Sequence, residues 1–201
     1  MSIEIRTLRG TETQSLVNIL AEMRVNEFCN FPYLYSGNAK DDADYYCSGY
    51  PDEHDSMLIG AYNGNEIVGI CSGLPFSSNM NFLKDWISQA QSQGIDASKS
   101  YYLGELIVLP AYRKLGIADK ILSRFFNSVI EMNYPNIVLV TAIRPDDHSL
   151  RPVDYVDTDN IWLKRGFSKL KVTLSIEYPT HQADGSVKDN MNVLALWQKK
   201  L

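Results

Sequence analysis

Residues 101–122 read YYLGELIVLPAYRKLGIADKIL. The first nine form an apolar, aromatic-rich run of strand length, and Pro110 follows it. Beyond the turn, Ile117, Ile121, Leu122, Phe125 and Val129 recur at helical spacing, which predicts a helix over 113–132. A strand thus becomes a helix within a few residues. The boundary lacks the Ser, Thr, Asp or Asn that usually caps a helix; it offers Arg113 and Lys114, then Gly116 and Ala118. A helix start presents unpaired N–H groups and partial positive charge. Small residues let a ligand come close to that backbone, and the two cations add full charge. Two readings stand: an ordinary turn with surface cations, or a cradle for a phosphate-bearing ligand. The stretch has neither G-x-x-x-x-G-K-[ST] nor G-x-G-x-x-G, so the P-loop and dinucleotide fingerprints are not the source of the signal.

The rest of the chain narrows the class. Its 201 residues, 45% hydrophobic and 21% charged, suit one domain with a substantial core. A net charge of −5 argues against nucleic acid as a partner. No run approaches the roughly 18 apolar residues of a membrane span, and MSIEIRTLRG has no apolar signal region. The three cysteines, Cys29, Cys47 and Cys71, have no CxxC spacing, which favours buried free thiols in a reducing compartment over disulfides or zinc. The expectation is a soluble cytoplasmic protein with no membrane partner and no metal.

Pattern and punctuation give the elements. Residues 2–8 alternate as a strand. A helix capped by Thr11 or Thr13 follows, with Leu16, Ile19, Leu20 and Met23 inward, and a short helix is expected around 39–48. Two strand runs, 56–62 and 66–74, flank Asn63-Gly64-Asn65, a hairpin signal. Helical spacing returns over 79–92, then come the 101–109 strand, the 113–132 helix, a buried strand at 135–143 and a short helix near 158–165 ended by Gly166. FSKLKVTLSIEY and NVLALWQ read as closing strands, with PTHQADGSVKD as a long loop between them. The sum is an α/β domain with a mixed central sheet of six to seven strands and helices on both faces.

The 101–122 run resembles the acetyl-CoA-binding motif of the GNAT superfamily of N-acetyltransferases, [RQ]-x-x-G-x-[GA], at Arg113, Gly116 and Ala118, with Pro110 and Tyr112 also in place. IWLKRGF (161–167) is similar to the family's FYEKLGF run, with Lys164, Gly166 and Phe167 in register. FPYLY (31–35) and HSLRPVDY (148–155) resemble an uncharacterised bacterial branch of the superfamily. The element order matches as well, so the resemblance spans nearly the whole chain. It implies a single GNAT-like acyl-CoA N-acyltransferase domain over residues 1–201.

The resemblance also implies a chemistry. Acetyl-CoA would be the acyl donor, its diphosphate on the backbone of Arg113, Lys114, Leu115, Gly116, Ile117 and Ala118. Its pantetheine arm would lie beside Ile107, Val108 and Leu109, where family members splay two parallel strands, with the Val108 N–H facing the thioester oxygen. The acceptor would be a primary amine, most simply of a small molecule, which must lose a proton to attack. Glu105 is the first candidate base and His148 the alternative. The family's usual acid, the Tyr of FYEKLGF, is replaced here by Trp162, whose indole is no useful acid. Tyr155 is the substitute, with Tyr102 or solvent as alternatives. Asp41, Asp42, Asp44, Asp52, Glu53 and Asp55 among Tyr45, Tyr46 and Tyr50 suit a cationic acceptor or a solvated acidic face. Phe82, Leu83, Trp86 and Ile87 cover the acceptor pocket, pack on a second subunit or simply fill the core. Arg144, Arg151 and Asp154 bind an acceptor carboxylate or staple their loop. Two further functions remain open: an acyl-CoA sensor without turnover, and a protein or peptide N-acetyltransferase. Dimers are common in the superfamily, so a homodimer is compatible with the reading.

Overall fold

The Asn63-Gly64-Asn65 signal makes a tight turn, with Gly64 at φ +63°, between β2 (Met57–Asn63) and β3 (Glu66–Pro75). The computed structural model describes residues 2–201. Before the hairpin come β1 (Ile3–Arg9), a 3-10 turn (Gly10–Leu16), α1 (Val17–Phe28) and α2 (Ala39–Asp42), which widens into a π turn over Ala43–Cys47. After it come α3 (Asn81–Gln91), β4 (Ser100–Val108), α4 (Ile117–Glu131), β5 (Asn136–Ala142), α5 (Asp159–Lys164), β6 (Ser168–His181) and β7 (Val187–Lys200). The seven strands form one mixed sheet in the order β1-β2-β3-β4-β5-β7-β6, in which only β4 and β5 run parallel. Apolar residues of α1 and α3 fill the core on one face; α4, Trp162 and Phe167 fill it on the other. No helix is long and apolar enough to cross a membrane.

Three details differ from the sequence pattern. Neither threonine caps α1: the buried Thr13 hydroxyl donates to the Gly10 carbonyl at 2.7 Å, which holds Gly10–Leu16 as a separate 3-10 turn. The α4 helix starts at Ile117, not 113, because Lys114 (φ +62°) and Gly116 (φ +73°) are left-handed and break the helical path. The expected long loop between the closing strands shrinks to residues 182–186, since pairing runs out to His181↔Val187. Pro179 is tolerated within β6 because β6 is the outermost strand. Its outer edge is covered there by residues 34–36: Ser36 N–H donates to the Pro179 carbonyl and His181 N–H to the Leu34 carbonyl, both at 2.8 Å.

A β-bulge between β3 and β4 decides which β4 side chains face α1. Gly73 pairs with Leu103 and Cys71 with Leu106, so β4 carries one more residue than β3 over this interval. Tyr101 and Leu103 face α4, but after the bulge Leu106 and Val108 take that face. Glu105 and Ile107 are thereby turned to the α1 side, with Tyr102. Uninterrupted alternation would have kept Glu105 on the same face as Tyr101 and Leu103.

Candidate active site

β4 and β5 pair only at Ser100–Tyr102 with Asn136–Val138, then diverge. β5 continues against β7 alone, so the second half of β4 has an open side. The Leu109 N–H donates to the Val68 carbonyl on the β3 side at 3.0 Å. By strand alternation the Val108 N–H points the other way, into the gap. Arg113 accompanies this edge: its Nε donates to the Val108 carbonyl at 3.0 Å, and its guanidinium pairs with Glu27 at the end of α1.

The gap opens into a cleft of about 520 Å³, lined by Leu106, Ile107 and Val108, by Arg113 and Ala118, and by Trp162 and Arg165 on the α5 side. At its α4 end the N–H groups of residues 114–119 have no acceptor among the described residues, and residues 114–116 are exposed. A Cβ built on Gly116 meets nothing within 4 Å, so the space in front of this turn is open to a ligand. Unpaired donors, the N-terminal end of a 15-residue helix and the Arg113 and Lys114 charges together suit a diphosphate. The residues present therefore fit coenzyme A.

The other wall of the cleft is Phe28, Phe31 and Tyr33. Phe28 and Tyr33 stack with ring centroids 4.6 Å apart, and both also line a second, smaller cavity of about 90 Å³ on the α1 side of the sheet. Glu105 lies in that cavity, 8% exposed. Its carboxylate accepts from Arg24 Nη1 and from the Ser72 hydroxyl; Tyr50 Oη in turn donates to Ser72 Oγ at 2.9 Å. Arg24 Nε donates at 2.9 Å to Asp42, which is 1% exposed and also accepts from the Tyr35 hydroxyl. Burial is the largest single influence and opposes the Arg24 charge, but Asp42, Cys47 and Tyr50 together outweigh it and hold the guanidinium above its ordinary pKa.

Tyr33 is fixed by its backbone. Its carbonyl accepts from Arg144 Nη2 at 2.9 Å and from Tyr178 Oη at 3.1 Å, while Arg144 also holds the Pro32 carbonyl and Asn192 Oδ1. Burial first, then the neighbouring Tyr178 and Tyr155, push its phenol well above the ordinary tyrosine value, so it remains protonated at neutral pH. Arg144 thus staples the 31–33 loop to β7.

The structure brings some expected residues together and leaves others apart. Glu105, Ile107, Val108, Arg113 and Ala118 line the two cavities, which share Phe28 and Tyr33; Lys114, Leu115, Gly116 and Ile117 form the turn before α4, and Leu109 ends the gap edge. His148 lies outside both: its Nδ1 accepts the Leu150 N–H at 3.2 Å, and its ring meets the edge of Phe31. Tyr155 likewise packs against Phe31, 4.6 Å between centroids, beneath the Arg151 guanidinium, and lines neither cavity. Of the acidic cluster only Asp42 reaches the site. Asp44 pairs with Lys40 on the surface, Asp55 accepts from Tyr134, and the side chain of Tyr46 lies outside the described residues. Trp162 packs edge-on against Phe167 and faces the cleft. Phe82 and Trp86 of α3 line the small cavity. Sequence reasoning missed Arg24, Phe28 and Tyr33 as site residues. A signal existed: Val17, Leu20, Ala21, Arg24 and Phe28 are spaced i, i+3, i+4, i+7, i+11, which places a cation and a ring on the buried stripe of α1.

A mixed sheet whose two parallel strands splay beside an open helix start with unpaired N–H groups is the architecture of acyl-CoA-dependent N-acyltransferases. The acetyltransferase (GNAT) family model matches residues 20–152, and the chain belongs to that family. No curated protein sequence matches it. Among solved structures it is similar to an N-acetyltransferase from Staphylococcus aureus Mu50 (12% identity, 100% of this chain and 99% of that one, TM-score 0.61). It is also similar to yncA from Salmonella typhimurium, solved with its cofactor acetyl-CoA (11%, 100% and 95%, 0.58). Arabidopsis thaliana NAA60 in complex with a bisubstrate analogue is a third (14%, 100% and 99%, 0.61). At these identities the likeness concerns the fold.

Proposed function

We propose that this protein transfers the acetyl group of acetyl-CoA to the primary amine of a small molecule, by direct attack of the amine on the thioester. One observation carries the reading: the cleft beside the open 114–119 turn and a small cavity lined by the buried Glu105 share two walls, Phe28 and Tyr33. Bound acetyl-CoA supplies an activated acyl carbon. The protein's own residues do the rest.

The cradle amides and Arg113 hold the diphosphate, and the Val108 N–H receives the charge that develops on the thioester oxygen. Glu105 holds the acceptor ammonium and takes its surplus proton, directly or through one water. Arg24 and Ser72 occupy one lone pair on each of its oxygens, which leaves further acceptor sites free. As the C–N bond forms and the C–S bond breaks, the amine's second proton passes through water to Tyr33 as Tyr33 gives its own to the sulfur, and Glu105 later returns the first proton to solvent. Tyr33, kept protonated by burial and set at the junction, is the donor to the sulfur, in place of the absent tyrosine at 162. The confinement of the cavity favours a small molecule over a polypeptide acceptor.

The test is release of free thiol from acetyl-CoA when a panel of amines is supplied, with the amide product identified by mass spectrometry. The expected result is amine-dependent release matched by N-acetylated product. Tight acetyl-CoA binding with no release for any amine would instead identify a sensor.

A further inference from the structure

The walls of the small cavity define the acceptor more closely. Aromatic rings converge on it from α1 (Phe28), the following loop (Tyr33, Tyr35), α3 (Phe82, Trp86) and β4 (Tyr102). They brace one another: Trp86 meets the edge of Tyr102 at 5.9 Å and of Phe82 at 6.0 Å, and Tyr35 meets the edge of Tyr178 at 5.6 Å. Val140, Ile176 and Leu194 add aliphatic surface. The polar end is Glu105 with Arg24. Among the described lining residues Arg24 is the sole cation, and Asp42 and Glu105 both engage it.

These walls constrain an occupant in three ways. Its ammonium is drawn to the Glu105 end, where ring faces add to the attraction. A carboxylate beside the amino group would face the Glu105 carboxylate with no unengaged cation in the lining, and a second ammonium at the far end would lie among rings with no counter-charge; either is a costly burial. Size sets the last limit. An apolar cavity of ~150 Å³ is known to accept benzene, and this one measures about 90 Å³ and is not fully enclosed. One ring is therefore the upper bound.

We infer that the acceptor is a compact primary monoamine with an apolar body, an arylalkylamine of one ring or a short branched alkylamine, carrying no carboxylate next to the amine. This rests on the acetyl-transfer reading and narrows it to a substrate class.

The experiment compares kcat/KM for 2-phenylethylamine, isobutylamine, phenylalanine, putrescine and a short peptide with a free N-terminus. In parallel, calorimetry measures 2-phenylethylamine binding to the protein loaded with CoA. The two monoamines should exceed phenylalanine, putrescine and the peptide by about 100-fold or more, the scale of one unpaired buried charge. Trp86→Ala should move the preference toward a two-ring naphthylethylamine by about 10-fold or more; Trp86→Leu serves if the alanine variant does not fold. Faster acetylation of phenylalanine, putrescine or the peptide overturns the class while leaving acetyl transfer intact. Binding of 2-phenylethylamine without turnover of any amine supports the class and removes the transfer reading. Neither binding nor turnover of the two monoamines overturns the class.

Discussion

Glu105→Gln separates the two roles of one carboxylate. The side chain is 8% exposed and accepts hydrogen bonds from Arg24 and Ser72. Glutamine keeps the shape and one acceptor oxygen, but its amide nitrogen cannot accept, so one of the two bonds is lost. Arg24 keeps Asp42 at 2.9 Å, so no buried charge is left unpaired. The cost is that of one charge-assisted hydrogen bond, about 2 kcal/mol, or roughly 4–8 °C in Tm for a chain of this length. The catalytic loss should be larger and distinct. Removing the proton acceptor should lower kcat/KM for amine acetylation by about 10²–10⁴-fold, while the acetyl-CoA affinity stays unchanged because the cradle lies elsewhere. Thermal melts, thiol-release kinetics and calorimetry on the same preparation read all three. A variant with the expected Tm loss and kcat/KM within about threefold of the parent would refute Glu105 as the proton acceptor and leave it a structural partner of Arg24.

Gly116→Glu should abolish acetyl-CoA binding in calorimetry, through its charge in the open space before α4, whereas Gly116→Ala should cost about 1–2 kcal/mol of stability from the left-handed φ of +73°. Retained affinity in the glutamate variant would move the diphosphate off the cradle. Arg24→Met leaves Asp42 and Glu105 buried without their cation, so about 3–5 kcal/mol of stability should go, visible as a depressed denaturation midpoint. Tyr33→Phe should lower kcat by about 10²-fold at unchanged amine KM; equal kcat would pass the acid role to solvent. In alkaline melts stability should hold up to about pH 9 and then fall. Burial raises Cys47 from 9.0 to about 12 and, with Asp55, Tyr134 from 10.0 to about 12. Above about pH 9 the unfolded chain releases these protons while the folded chain keeps them, so rising pH favours unfolding. A Tm that is flat to about pH 11 would contradict this.

Much of the architecture was legible from local signals. The 101–122 run marks a strand, a stop and a helix within one window, and Asn-Gly fixes the first hairpin. The open turn before α4 was readable because it is a backbone feature: Gly116 and the absence of a capping side chain point to it directly. The acceptor side was harder. Glu105 faces α1 only because the bulge at 103–106 shifts the strand's alternation by one residue; Gly104 and the facing Gly73 are its only mark in the sequence, and a glycine within a strand does not by itself fix where pairing slips. Arg24 and Asp42 look like ordinary helix-surface charges until tertiary packing buries them against each other. Tyr33 reaches the junction through Arg144, more than 100 residues away in sequence, by way of backbone carbonyls that no side-chain pattern encodes. His148 and Tyr155 were attractive by residue type, and it is the path of the 143–158 loop that sets them outside both cavities.

The position of coenzyme A relative to Glu105 decides the mechanism, and a crystal structure of the protein with acetyl-CoA measures it directly. The expected density has the diphosphate on the amides of residues 114–119, the arm along Leu106–Val108 and the thioester at the Phe28–Tyr33 junction. A diphosphate bound elsewhere, or a thioester remote from that junction, would contradict the mechanism.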